Sequence, residues 1–191
     1  LVAGPTTVRW CLAHSPRRRR VNRHRSGGHA VHVHAEHLAL VRDANGQAVT
    51  RWTFDTMAGG GALIGSARSL ARYAQAALGL IDTPLAPAFE LTLRRHADGS
   101  GPANPMGLGW ILGRLNGRRI ANHDGGTYGF SSSLFLDLDQ QRASLVLANA
   151  FVPVTDLALH LLEPSIAPRD VAAEKRKAQR EAVSVPASQL A

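Results

Sequence analysis

Cysteine, membrane-length apolar runs and acidic residues near the N-terminus are what this 191-residue chain has least of. A single cysteine, Cys11, excludes an internal disulfide framework and any cysteine-rich zinc site. No apolar stretch reaches the ~18 residues that a membrane-spanning helix needs. The chain starts at Leu1 without the basic, apolar and small-residue layout of a signal peptide, so it reads as a fragment. With 45% hydrophobic and 19% charged residues, the composition is that of one ordinary globular domain rather than a disordered chain.

The charge is concentrated rather than spread. Seven arginines (Arg9, Arg17, Arg18, Arg19, Arg20, Arg23 and Arg25) and one acid, Glu36, occupy the first 36 residues. Of the formal charge of +8, only +2 is left for the other 155 residues. A nucleic-acid contact by counterion release is one reading of the Arg17–Arg20 run, but no aromatic interleaves it and no DNA-binding motif spacing accompanies it. A metal site is another, built from His29, His32, His34 and His37. His32 and His34 share a strand face, or His34 and His37 a helix face, but no single element presents all four. Residues 1–37 lack any sustained apolar period and are expected to be a disordered basic segment or text read from a shifted frame. No metal, cofactor or nucleic-acid partner is expected.

From residue 38 the chain acquires pattern. Asn45-Gly46 marks a hairpin turn within 41–47, and 48–54 suits a short strand. Ser66 is placed to cap a helix whose apolar face is Ala67, Leu70, Ala71, Ala74, Ala77 and Leu78, with Gly79 as its stop. A second, shorter helix is expected over 85–95. Strands follow at 107–115, 118–122, 131–138 and 143–150, the first pair joined by Asn116-Gly117 and the last by Asp139-Gln140-Gln141. A closing helix falls at 155–162, and 164–191 lose apolar period and read as a linker or disordered tail. The fold class is α+β: an antiparallel meander with flanking helices over residues 38–163.

The informative stretch is His123-Asp124-Gly125-Gly126-Thr127-Tyr128-Gly129-Phe130-Ser131-Ser132. Two glycines on a strand let another backbone or a ligand approach closely, and a bare amide there can donate to a developing oxyanion. The imidazole of His123 is a proton-handling group. Read alone, the same residues also describe a glycine-rich turn beside a surface histidine.

Three blocks agree in order and spacing: residues 57–73, Met106-Gly107-Leu108-Gly109-Trp110, and the stretch from His123. Together they resemble the C-terminal half of the serine β-lactamase-related proteins, which include class C β-lactamases, D-alanyl-D-alanine carboxypeptidases and related esterases. The resemblance implies a partial β-lactamase/transpeptidase-like fold and acyl transfer through a serine acyl-enzyme. It also implies a small-molecule or peptide acyl substrate, no cofactor, and a periplasmic or secreted parent. The family's third motif, Lys or His, any residue, then Gly, falls on His123, Asp124 and Gly125. His123 is thereby expected to orient a substrate carboxylate and assist proton transfer, the Gly126 amide to be an oxyanion donor, and Thr127 to hydrogen-bond within the site.

The family's other two motifs are missing. Its Ser-x-x-Lys requires a lysine three residues after the nucleophilic serine. Only Lys175 and Lys177 exist here, preceded at that spacing by Ala172 and Glu174. Tyr-x-Asn is absent as well, since Tyr73 leads into Ala74-Gln75 and Tyr128 into Gly129-Phe130. The chain alone is therefore expected to be inactive. The alternative function is a non-catalytic module whose basic arm binds nucleic acid or an anionic surface.

Overall fold

The computed structural model describes residues 8–12 as backbone and, beyond them, 39–99 and 104–170 apart from Ala44, Thr53, Asp55 and Met57. Its centre is the pair of strands with the strongest apolar alternation. In β6 (Phe130–Asp137), Leu134 and Leu136 point to one face and Phe135 to the other; in β7 (Arg142–Ala148), Ala143 and Leu145 oppose Val146 and Ala148. A strand with apolar residues on both faces must be covered twice. Helix α1 (Ala67–Ala77) covers the first face, and α3 (Thr155–Leu162) covers the second.

The remaining elements are β1 (Val8–Leu12), α2 (Ala86–Thr92), β2 (Ala97–Asp98), β3 (Pro105–Met106), β4 (Ile111–Leu115) and β5 (Arg118–Thr127). The sheet order is β1-β7-β6-β5-β4-β3-β2, antiparallel throughout except for the parallel β1–β7 pair. The expected α+β meander with flanking helices is what forms. Strand β1 lies inside the segment expected to be disordered: Val8-Arg9-Trp10-Cys11-Leu12 is rich in strand-forming residues and pairs with Ala143–Leu147. The arginine run 17–25, the histidines at 29–37 and the tail beyond Asp170 lie outside the described residues.

Local sequence explains most boundaries. The Ser66 hydroxyl accepts from the Ser69 amide at 3.2 Å and starts α1, a cap of about 1 kcal/mol. Asn116 and Gly117, at φ of 50° and 81°, make the mirror-image turn whose twist suits a two-residue hairpin. The 85–95 helix contracts to Ala86–Thr92, with a proline in its first turn.

Three strand expectations are corrected. The strand expected over 107–115 starts only at Ile111, as β4, because the chain turns at residues 107–110 with Gly109 at positive φ; the two-residue β3 lies ahead of that turn. There Leu108 donates to the Thr92 carbonyl at 2.9 Å, docking the turn on the end of α2. Among the described residues of 48–54 there is no strand: Ala48 bridges to Arg42 and the Val49 amide donates to the Val41 carbonyl at 3.1 Å. The strand expected to end at Asn122 runs on to Thr127, so the glycine-rich stretch is a strand and not a loop.

One pole of the sheet is tied by ions. Asp137, fully buried, lies 3.0 Å from Arg118 Nε and 3.4 Å from an Arg142 terminal nitrogen, and it accepts from the Gln140 amide at 2.9 Å. Arg118 also reaches Glu163 at 2.8 Å, just past the end of α3. That hydrogen bond, followed by one from Ser165, lowers the Glu163 carboxyl to about 2. Asp139 is lowered too, first by the Arg119 backbone amide and then by its guanidinium.

Candidate functional site

The far half of β5 carries the candidate residues, and it is held differently from the near half. Its register with β4 stops at Ile111 opposite Asn122, whereas its register with β6 runs on to Thr127 opposite Phe130. Residues His123–Thr127 are thus paired on one side only among the described residues.

Two short turns set the hydrogen-bonding phase of this strand. Leu115 pairs with Arg118 across Asn116-Gly117, and Thr127 pairs with Phe130 across Tyr128-Gly129. In a two-residue hairpin the flanking pair exchanges both backbone bonds. Arg118, Ile120 and Asn122 therefore address β4, and the odd-numbered residues of β5 address β6. The Leu138 amide, 2.9 Å from the Arg119 carbonyl, keeps that phase. It follows that the N–H and C=O groups of Asp124 and Gly126 lie on the β4 side, where β4 has already ended. The Gly126 amide faces an open sheet edge.

The side chains of this half-strand divide between the two faces. His123, two residues after the buried Ala121 of the α1-side core, lies on the α1 side and is exposed. Gly125 is on the same side, and a Cβ there would stand 2.5 Å from Ser132 Oγ. Thr127 follows, its methyl 3.9 Å from where a Cβ on Gly61 would sit. On the α3 side lie Asp124 and Gly126. Asp124 Oδ1 accepts from Ser133 Oγ at 2.6 Å and its Oδ2 from Thr155 Oγ1 at 2.9 Å. A Cβ on Gly126 would meet the Phe151 ring at 3.4 Å. The turn beyond is pinned where Gly129 packs against Val41 of the 41–49 hairpin, at φ 89°.

The candidate residues are thus contiguous but differently directed. His123, Gly125 and Thr127 share a face, whereas the Gly126 amide points sideways in the plane of the sheet. Ser131, Ser132 and Ser133 are strand residues; Ser131 accepts from the Val152 amide at 3.1 Å. The two ties made by Asp124 were not foreseen from sequence. The available signal was a carboxylate at the unspecified position of the motif, on the face opposite His123. A shallow hollow beside the turn is lined by Val49, Thr50, Arg51, Trp52 and Tyr128. No group of three metal-ligating side chains occurs among the described residues, and no described helix is long and apolar enough to cross a membrane.

A family model described as Beta-lactamase matches residues 6–163, and the chain belongs to that family. Its fold is similar to that of a β-lactamase/D-alanine carboxypeptidase from Pseudomonas syringae, with a TM-score of 0.53 at 20% identity. That likeness covers 60% of this chain and 41% of the other, so the chain spans less than half of that relative. No curated protein matches the sequence.

Proposed function

We propose that this chain is part of a serine hydrolase that transfers acyl groups from β-lactams, D-alanyl peptides or small esters, and that it supplies the strand lining the acyl site. The Gly126 amide is one oxyanion donor, and Gly125 keeps the adjoining face of the strand free of side chain. His123 orients the substrate carboxylate and assists proton transfer, and Thr127 hydrogen-bonds beside it. The observation that carries this reading is the Gly126 N–H at an edge of β5 that β4 leaves unpaired. An amide held rigidly in that position polarises a carbonyl without reorganising.

Polarisation alone forms no acyl-enzyme, because the chain has no Ser-x-x-Lys to attack the carbonyl. The nucleophile belongs to sequence outside this chain. The purified chain is therefore expected to turn over neither nitrocefin nor a p-nitrophenyl ester. Turnover abolished by His123→Ala would reveal a nucleophile within the chain and overturn that part of the reading. Titration of the 15N-labelled chain with N-acetyl-D-alanine tests the donor directly. The Gly126 amide resonance is expected to shift, and an unmoved Gly126 would refute the carbonyl-polarising role.

A further inference from the structure

Asp124 occupies the one position of the His-x-Gly motif to which no role attaches. Its surroundings give it one. From His123 to Thr127 the strand has lost β4 as a neighbour, and two of its five residues have no side chain to pack. Pairing with β6 is all the backbone support that remains on this stretch among the described residues. Asp124 adds two ties, and they run to two different elements. Ser133, fully buried on β6, donates to one carboxylate oxygen at 2.6 Å; Thr155, the first residue of α3, donates to the other at 2.9 Å.

The second tie also serves the helix. Val154 at the N-cap of α3 has no side-chain acceptor to offer, and a carboxylate beside the first turn complements the positive end of the helix dipole. Bonds to an ionised acceptor are about twice as strong as neutral ones, and a carboxylate bridging two hydroxyls leaves little freedom to rotate about the strand axis. That rotation is the motion that would swing His123 off its face and tip the Gly126 N–H out of the sheet plane.

We propose that Asp124 is a positioning residue: by clamping β5 to Ser133 and Thr155 it sets the direction of the Gly126 amide and of His123. The functional value of that direction rests on the acyl-site reading above; the clamp itself is open to test without it.

The test is amide hydrogen exchange in the intact 15N-labelled chain. Asp124→Ala is expected to speed exchange at Gly125 and Thr127, whose amides bond to β6, by roughly tenfold, as loss of a charged hydrogen bond would. The amides of Leu136 and Leu145 in the buried centre are expected to keep their rates. Asp124→Asn, which can accept from Ser133 and donate to Thr155 but lacks the charge, is expected to recover part of the lost protection. Uniform acceleration through every strand would make Asp124 a general stabiliser and overturn the proposal, as would unchanged rates at Gly125. Should Asp124→Ala fail to fold, Thr155→Val removes one tie alone and is expected to speed the same two amides; no change in that variant would also overturn the proposal. The N-acetyl-D-alanine titration separates the two ideas. A silent Gly126 in the parent chain would refute the acyl-site reading while the exchange rates still decide the clamp.

Discussion

Gly125 and Ser132 face each other across β5 and β6 so closely that a Cβ on the glycine would stand 2.5 Å from the serine Oγ. The hydroxyl is one bond from its own Cβ and can rotate away, so the contact is adjustable. Gly107 and Gly129 are in stricter places. A Cβ on Gly107 would lie 2.3 Å from the Thr92 carbonyl oxygen, which is backbone, and one on Gly129 would lie 1.9 Å from Val41 Cγ1 at a φ of 89°. Gly125→Ala is expected to cost about 1 kcal/mol and Gly107→Ala or Gly129→Ala about 3 kcal/mol or more. Urea unfolding midpoints measure the order. Ser132→Ala is expected to erase most of the Gly125→Ala penalty, and a Gly125→Ala cost equal to that of Gly107→Ala would contradict this account.

Asp137 is a buried charge between Arg118 and Arg142. Removing the carboxylate would take away the Arg142 ion pair and leave Arg118 with Glu163 as its counter-charge. Asp137→Ala is expected to destabilise the chain by roughly 3–5 kcal/mol. Arg142→Met, which leaves Asp137 with Arg118, is expected to cost much less. Equal losses in the two variants, read from denaturant curves, would place the weight elsewhere.

Glu163 and Asp139 both have carboxyls lowered in the folded chain, Glu163 from 4.5 to about 2. A carboxyl lowered by folding adds stability above its unfolded value and loses it as the pH falls towards the folded one. The thermal midpoint is therefore expected to drop between about pH 4.5 and pH 2. Glu163→Gln is expected to lower the midpoint at neutral pH and to flatten that slope. A pH profile identical to that of the parent would show that the Arg118–Glu163 bond does not contribute.

Most of the meander was legible in the sequence, because its signals are local. Asn116-Gly117 prefers positive φ at both turn positions, and Leu134 to Leu136 alternate faces whatever surrounds them. Ser66 caps α1 through an atom only three residues from its partner. The corrections all fall where distant contacts decide. Residues 107–110 turn where the end of α2 offers the Thr92 carbonyl, and 48–54 fail as a strand because, among the described residues, their pairing with the 41–43 segment is not continued beyond Val49. His123–Thr127 continue β5 because β6 extends alongside them, although Gly125-Gly126 by itself favours a turn.

The candidate site divides in the same way. The resemblance to the family's third motif singled out His123, Gly125, Gly126 and Thr127 as candidates, and the count of lysines was enough to exclude Ser-x-x-Lys. Both were read from residue order without any knowledge of the fold. The direction of each group depends on which strand ends first. Only the tertiary structure decided that β4 stops at Ile111 and leaves the Gly126 amide at an edge, and that Ser133 and Thr155 converge on Asp124. Strand register and helix docking are set by sums of contacts between residues far apart in the chain, and no local pattern carries that sum.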